Sequence, residues 1–321
     1  MENENILKQK QKLEVFDILK EALMISVRNL NFIIFTFLTS LPLFCITVYF
    51  EIQLQELVET FFINIPEEVH YGYFNSMLDR MNKDYNYSKL IQLGLIYIFP
   101  LQILEFGTAI VTIDLASKLN SQEKKMTLKE MFEKPLDSTK LRGSFLTFIY
   151  VVFLITTHQL GLLWIVINYH ICLKDFNFVV FPVICSLLFA KVLMMYLEWS
   201  SMWSMSIVIS ILEGIYGIDA LALSINFSRG CHRKGLFLML IFFAWGQFLR
   251  FSCYHIRGYE QGNGTFIQVG LFCIVIPLKW VVFMIYFNDC KERYLKKKMD
   301  VESGKNVSSS EVGLRVESNL A

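Results

Sequence analysis

The stretch FNFVVFPVICSLLFAKVLMMYLEW (176–199), followed directly by SSMWSMSIVISILEGIYGIDALALSINFSRG (200–230) and ending near Gly235, decides the reading of this chain. As one continuous helix it would be roughly twice the length needed to cross about 30 Å of hydrocarbon at about 1.5 Å per residue. It therefore has to break. The Trp199–Ser204 cluster and the pair Gly214 and Gly217 are the places the sequence offers. The resulting picture is a membrane span that turns at the cytoplasmic surface, lies along it, and then re-enters.

Composition agrees. Hydrophobic residues make up 54% of the 321 and charged residues only 18%, against about 25% charged in a soluble domain. Mean hydropathy is +0.45, and the apolar residues fall in blocks of about 20, the length of a membrane helix. The fold class is all-α, a polytopic helical bundle: a cytoplasmic N-terminus with an amphipathic helix (1–29), a six-span membrane domain (30–290) and a basic, disordered cytoplasmic tail (291–321). The net charge of +1 is not gathered into a domain, which argues against a nucleic-acid partner. The seven cysteines form no CxxC and sit in or beside apolar blocks, so no disulfide framework is expected. Cys231 and Cys290 border membrane segments beside basic residues, where palmitoylation would be read if anywhere.

Working outward, Phe16, Leu19, Leu23 and Val27 recur at helical spacing opposite Glu14, Asp17, Lys20, Glu21 and Arg28, an amphipathic helix for the interface. Spans are expected at 30–50, with Pro42 as a kink, then at 89–116, 144–170, 176–199, 236–255 and 266–288. Placing both ends in the cytoplasm puts 22 Lys and Arg in inner segments and five in outer ones, while the 51–88 loop holds seven acids. Such a bias supports six spans with both ends inside. The sequons at Asn86 and Asn263 fall on the outer side, as weak glycosylation candidates. The segment 21–27 (EALMISV) resembles 219–225 (DALALSI), and each precedes an outward span, as in a parallel repeat.

Charges inside spans are costly and are therefore functional candidates. Counting from the outer end of each span puts Glu105, Lys191 and Lys279 at about 20 Å depth. A Glu105–Lys191 or Glu105–Lys279 pair follows, with His158 as a third member. One role is an ion or anion site between helices; the other is a salt bridge that fixes helix register, or lysines that snorkel. On the inner face, Arg229, Arg233, Lys234, Lys291, Arg293, Lys296, Lys297 and Lys298 are candidate contacts for anionic lipid headgroups. No HExxH, GxSxG or GxxxxGK[ST] is present, and the five histidines lie in separate segments. No catalytic residue, metal site or cofactor is therefore assigned.

The segments LEVFDILKEALMISVRN (13–29) and WSMSIVISILEGIYGIDALALSINFSRG (203–230), with the Lys-rich end of the sixth span, resemble a plant family of six-span transmembrane proteins. Some of its members are labelled as binders of a polyadenylate-binding protein. More distantly the chain is similar to the membrane domain of bacterial glycerophosphodiester phosphodiesterases, without their catalytic domain. The resemblance implies an integral membrane protein and no catalytic residue. The leading function is a non-enzymatic scaffold or membrane organiser of the endoplasmic reticulum, endomembrane system or plasma membrane; the alternatives are a transporter or channel for a small solute or ion, and a lipid-modifying enzyme. Partners are membrane lipids and candidate proteins at the cytoplasmic face, and no oligomeric state is read.

Overall fold

The computed structural model describes residues 14–62, 84–121, 127–133, 138–175, 180–255 and 263–317. They form α1 (Val15–Arg28), α2 (Leu30–Phe62), α3 (Asp84–Ile96), a π-helical turn (Tyr97–Leu101), α4 (Gln102–Ser121), α5 (Leu128–Glu133), α6 (Ser138–Asp175), α7 (Val180–Leu212), α8 (Ile218–Ser228), α9 (His232–His255) and α10 (Asn263–Glu317). No strand occurs among the described residues. Among the described residues, five stretches are long and apolar enough to cross a membrane: Leu30–Glu56, Ile91–Ser121, Lys140–Leu162, Val183–Leu212 and Gly264–Met299. The expected fifth span, 236–255, lies on α9, a 24-residue helix outside that set.

The decisive stretch breaks at 213–217 and again at 229–231, and it runs unbroken through the first of its two offered sites. α7 runs straight through Trp199–Ser204 to Leu212. The reason is burial: from Ser201 to Ile211 nearly every side chain is enclosed, packed among α4, α6, α8, α9 and α10. The chain turns at Gly214 and Gly217, both at positive φ (68° and 67°), a region open to glycine and strained for other residues. Tyr216 in this turn lies over Gly143 of α6, where a Cβ would come within 2.4 Å of the ring, and Gly217 N–H donates to Thr147 Oγ1 at 2.8 Å. The segment expected on the surface is thus the second half of a core helix, and only α8 remains as a short separate helix.

α10 has the same character. Its residues Trp280 to Cys290 are almost wholly buried, apart from Asn288. Around this pair of enclosed segments sit the N-terminal part of α2, the C-terminal half of α4, the start of α6 and the start of α9. α1 closes the same end by burying Ile18 and Ala22, while Phe16, Leu23, Met24 and Val27 face outward as an apolar surface. Its start is held by a capping box in which Glu14 N–H donates to Asp17 Oδ2 at 3.0 Å. In the echoed segments, the matching Ala22 and Ala220 are both fully buried, and both helices pack on α10. Where a disordered tail was expected from residue 291, α10 continues to Glu317; KERYLKKKM is rich in good helix formers and lacks proline.

Candidate functional site

The two buried segments do not fill the bundle along its whole length. Where α7 and α10 leave the packed region, a cavity of about 140 Å³ opens between them and the π-turn, α4 and α6. Glu105 and Lys279 both line it, joined by a 2.8 Å ion pair. Their side chains are 30% and 21% exposed, so neither charge is sealed in the core. Lys279 Nζ also stands 4.7 Å from the centre of the Trp280 ring, a distance at which the indole face attracts a cation.

The rest of the wall is more polar than its depth in an apolar bundle would suggest. Gln102, Gln159, Tyr97, Tyr196, Ser200 and Ser204 contribute, beside Phe106, Phe148, Val151, Ile155 and Ile207. Gln159 Nε2 donates to Tyr97 Oη at 2.8 Å, so α6 is tied to the π-turn. Phe106 and Phe148 stack at 4.4 Å and close the side between α4 and α6. Trp280 is 3% exposed, and its Nε1 has no hydrogen-bond partner among the described residues. Buried donors without acceptors cost about 1–3 kcal/mol, so they are uncommon and call for a reason.

Local sequence explains the placement. Pro100 lacks an N–H and cannot complete a regular helical ladder, and here it sits inside the π-turn, five residues before Glu105. Pro277 lies inside α10, two residues before Lys279. Each half of the ion pair is therefore carried just past a proline.

Two of the predicted members stand elsewhere. Lys191 is exposed on the outer face of α7; the stripe Tyr196, Ser200, Trp203, Ser204, Ile207 lines the chamber, and at about 100° per residue Lys191 is turned roughly 140° from Tyr196. His158 does not line the chamber either. Its ring packs against Tyr196, Trp199 and Trp203 at 5.2–6.4 Å, with Nδ1 3.2 Å from the Leu154 carbonyl oxygen. The neighbouring Gln159 takes the place the sequence reading gave to His158. Gln102, Gln159, Ser200, Ser204 and Trp280 were missed; their signal was a set of polar side chains at the level of Glu105, beside the two prolines.

The proposed headgroup contacts divide. Lys234 (3.5 Å) and Arg293 (2.9 Å) both pair with Asp289, and Lys291 pairs with Glu213 at 2.6 Å. Lys234–Asp289 ties α10 to α9 and Lys291–Glu213 ties it to the turn after α7, while Arg293–Asp289 lies within α10. Lys296 lies 3.4 Å from Glu292. Arg229, Arg233, Lys297 and Lys298 are exposed. Cys231 and Cys290 are buried, so acylation would require each to leave the core. The neighbouring Cys290 thiol, aided by Arg293 and Lys234, lowers the Cys231 thiol against the opposing effect of burial. Among the described residues, no three His, Cys, Asp or Glu side chains converge as a metal cradle. The side chains of Asn86 and Asn263 lie outside those described.

An all-helical chain with five membrane-length apolar helices and a polar chamber between them is an integral, multi-pass membrane protein. It belongs to the family of the domain of unknown function DUF8558, whose model matches residues 1–294. No curated protein and no solved structure matches the chain.

Proposed function

We propose that this protein is a six-span, non-enzymatic carrier of a small polar solute, with both ends on the cytoplasmic side of an endomembrane or the plasma membrane. The observation that carries the proposal is the chamber itself: a cavity among apolar helices that holds a carboxylate and an ammonium. Ionisable groups at membrane depth are retained against a substantial cost and commonly mark solute paths. A sealed, apolar centre would have favoured a purely structural role. The orientation rests on the 22 inner and five outer Lys and Arg. The span added to the five membrane-length helices is α9, fifth in chain order, and the likeness to plant six-span proteins agrees with a count of six.

Full-length protein in liposomes tests this. With a panel of small labelled polar solutes, at least one should accumulate above protein-free vesicles, and Glu105→Gln should abolish its uptake. Uptake of none, from correctly folded protein, would overturn the carrier reading. Tags at residue 67 reached from the outer side and at residue 124 from the cytoplasm would support the orientation; the reverse would invert it.

A second reading, a membrane organiser, is favoured by α1. Its outward Phe16, Leu23, Met24 and Val27 form an apolar strip at the same end as the exposed Arg229 and Arg233, a combination suited to an anionic lipid surface. Loss of organelle-membrane shape on changing Phe16 and Val27 to Ser, with solute uptake intact, would promote it.

A further inference from the structure

Taking the chamber as a solute site, we infer that its ligand is a small zwitterion with adjacent charges, of the α-amino acid type. Its ammonium sits on Glu105, and its carboxylate on Lys279 and the Trp280 N–H.

Charge balance comes first. Glu105 and Lys279 neutralise each other at 2.8 Å within a largely apolar bundle. A lone cation or anion entering beside them would leave one unit of charge where solvation is poor, and that is penalised heavily. A zwitterion adds both signs at once, so the chamber stays neutral. Geometry then selects among zwitterions. The protein's two charges are in contact, and an α-amino acid carries its own two charges a few ångströms apart. The two dipoles can therefore lie head to tail, each ligand pole meeting the opposite protein pole, without parting the existing pair. A zwitterion with distant charges would have to break it.

Trp280 supplies an independent indication. Its indole lines the cavity and is almost fully buried, Nε1 included, and among the described residues Nε1–H has no acceptor. The ring face already steadies the Lys279 ammonium, so the positive groups of the site, ammonium and N–H, belong to one residue pair. A carboxylate has two oxygens, one for each of these donors. Size sets the last limit: about 140 Å³ is close to a cavity of about 150 Å³ that holds benzene, which bounds the ligand at roughly six heavy atoms. Phe106, Phe148 and Val151 leave an apolar wall for a short side chain.

Three molecules of one shape, alanine, isobutyrate and lactamide, with the smaller isopropylammonium as the lone cation, test this on purified full-length protein in micelles, by calorimetry. Alanine should bind at least tenfold more tightly than each of the others, and Trp280→Phe, which keeps the ring and removes the N–H, should weaken alanine about tenfold without lowering the melting temperature. Equal or tighter binding of isopropylammonium, isobutyrate or lactamide would overturn the zwitterion and leave the solute-site reading standing. Binding of none of the four by folded protein would overturn both. Unchanged alanine affinity in Trp280→Phe would overturn the carboxylate's assigned place.

Discussion

The two halves of α7 belong to different environments. From Val183 to Met195 the helix is mostly exposed, with Leu187 at 67%; from Ser201 to Ile211 it is enclosed, with Met205 at 0%. Both halves are similarly apolar in sequence, so hydropathy does not distinguish a lipid-facing surface from a protein core. What differs is the surroundings: α1, α8 and the turn at 213–217 cluster around one end of the bundle and leave the other to the bilayer. The chamber lies at the boundary, where the close packing stops and Trp203 and Trp280 form its floor.

The sharpest way to break this contrast is to truncate one side chain in each half. Met205→Ala should cost about 2–5 kcal/mol, as buried large-to-small changes do, whereas Leu187→Ala should stay within about 0.5 kcal/mol. Denaturant melts of both variants in the same micelle would show it, and equal losses would dissolve the distinction. A subtler pair lies on α9. A Cβ at Gly235 would come within 2.6 Å of Ser201 Oγ and 2.8 Å of Tyr286 Oη, while at Gly246 the nearest atom is Phe272 Cε2 at 3.8 Å. Gly235→Ala should therefore lower stability by about 1–3 kcal/mol through overpacking. Gly246→Ala should raise it by up to about 1 kcal/mol, since glycine is a poor helix former. Opposite signs along one helix, read from thermal midpoints, would sharpen the comparison considerably.

At the boundary, exchanging partners separates the two lysines. Glu105→Lys combined with Lys279→Glu should restore most of the monodisperse yield that either single change loses; Glu105→Lys with Lys191→Glu should restore none. Smallest of all, Lys291→Ala removes a partly exposed pair with Glu213 and should cost no more than about 1 kcal/mol, diminishing further at high salt.

Much of this was legible beforehand. Block lengths gave the helices, and residue counting gave the common level of Glu105 and Lys279. Counting gives depth but no azimuth, and on that point Lys191 and His158 were misplaced: one faces away from the chamber, and the other yields to Gln159 one residue later. The continuation of α7 through Trp199–Ser204 was hidden for a similar reason. A serine-rich apolar run suits an interface or a tight core equally well, and Ser206 and Ser210 settle in the core by donating to the Trp203 and Ile207 carbonyls. The decision rests with neighbours distant in sequence.

The π-turn at Tyr97–Leu101 has a mechanical consequence. One surplus residue in a helix resets the phase of everything beyond it by about 100°. The rod before the turn and the rod after it are thereby geared separately, so that Tyr97 and Glu105 can address the same space from what would otherwise be diverging bearings. Deleting a single residue there would heal the irregularity, and in doing so swing the carboxylate out of alignment with its lysine.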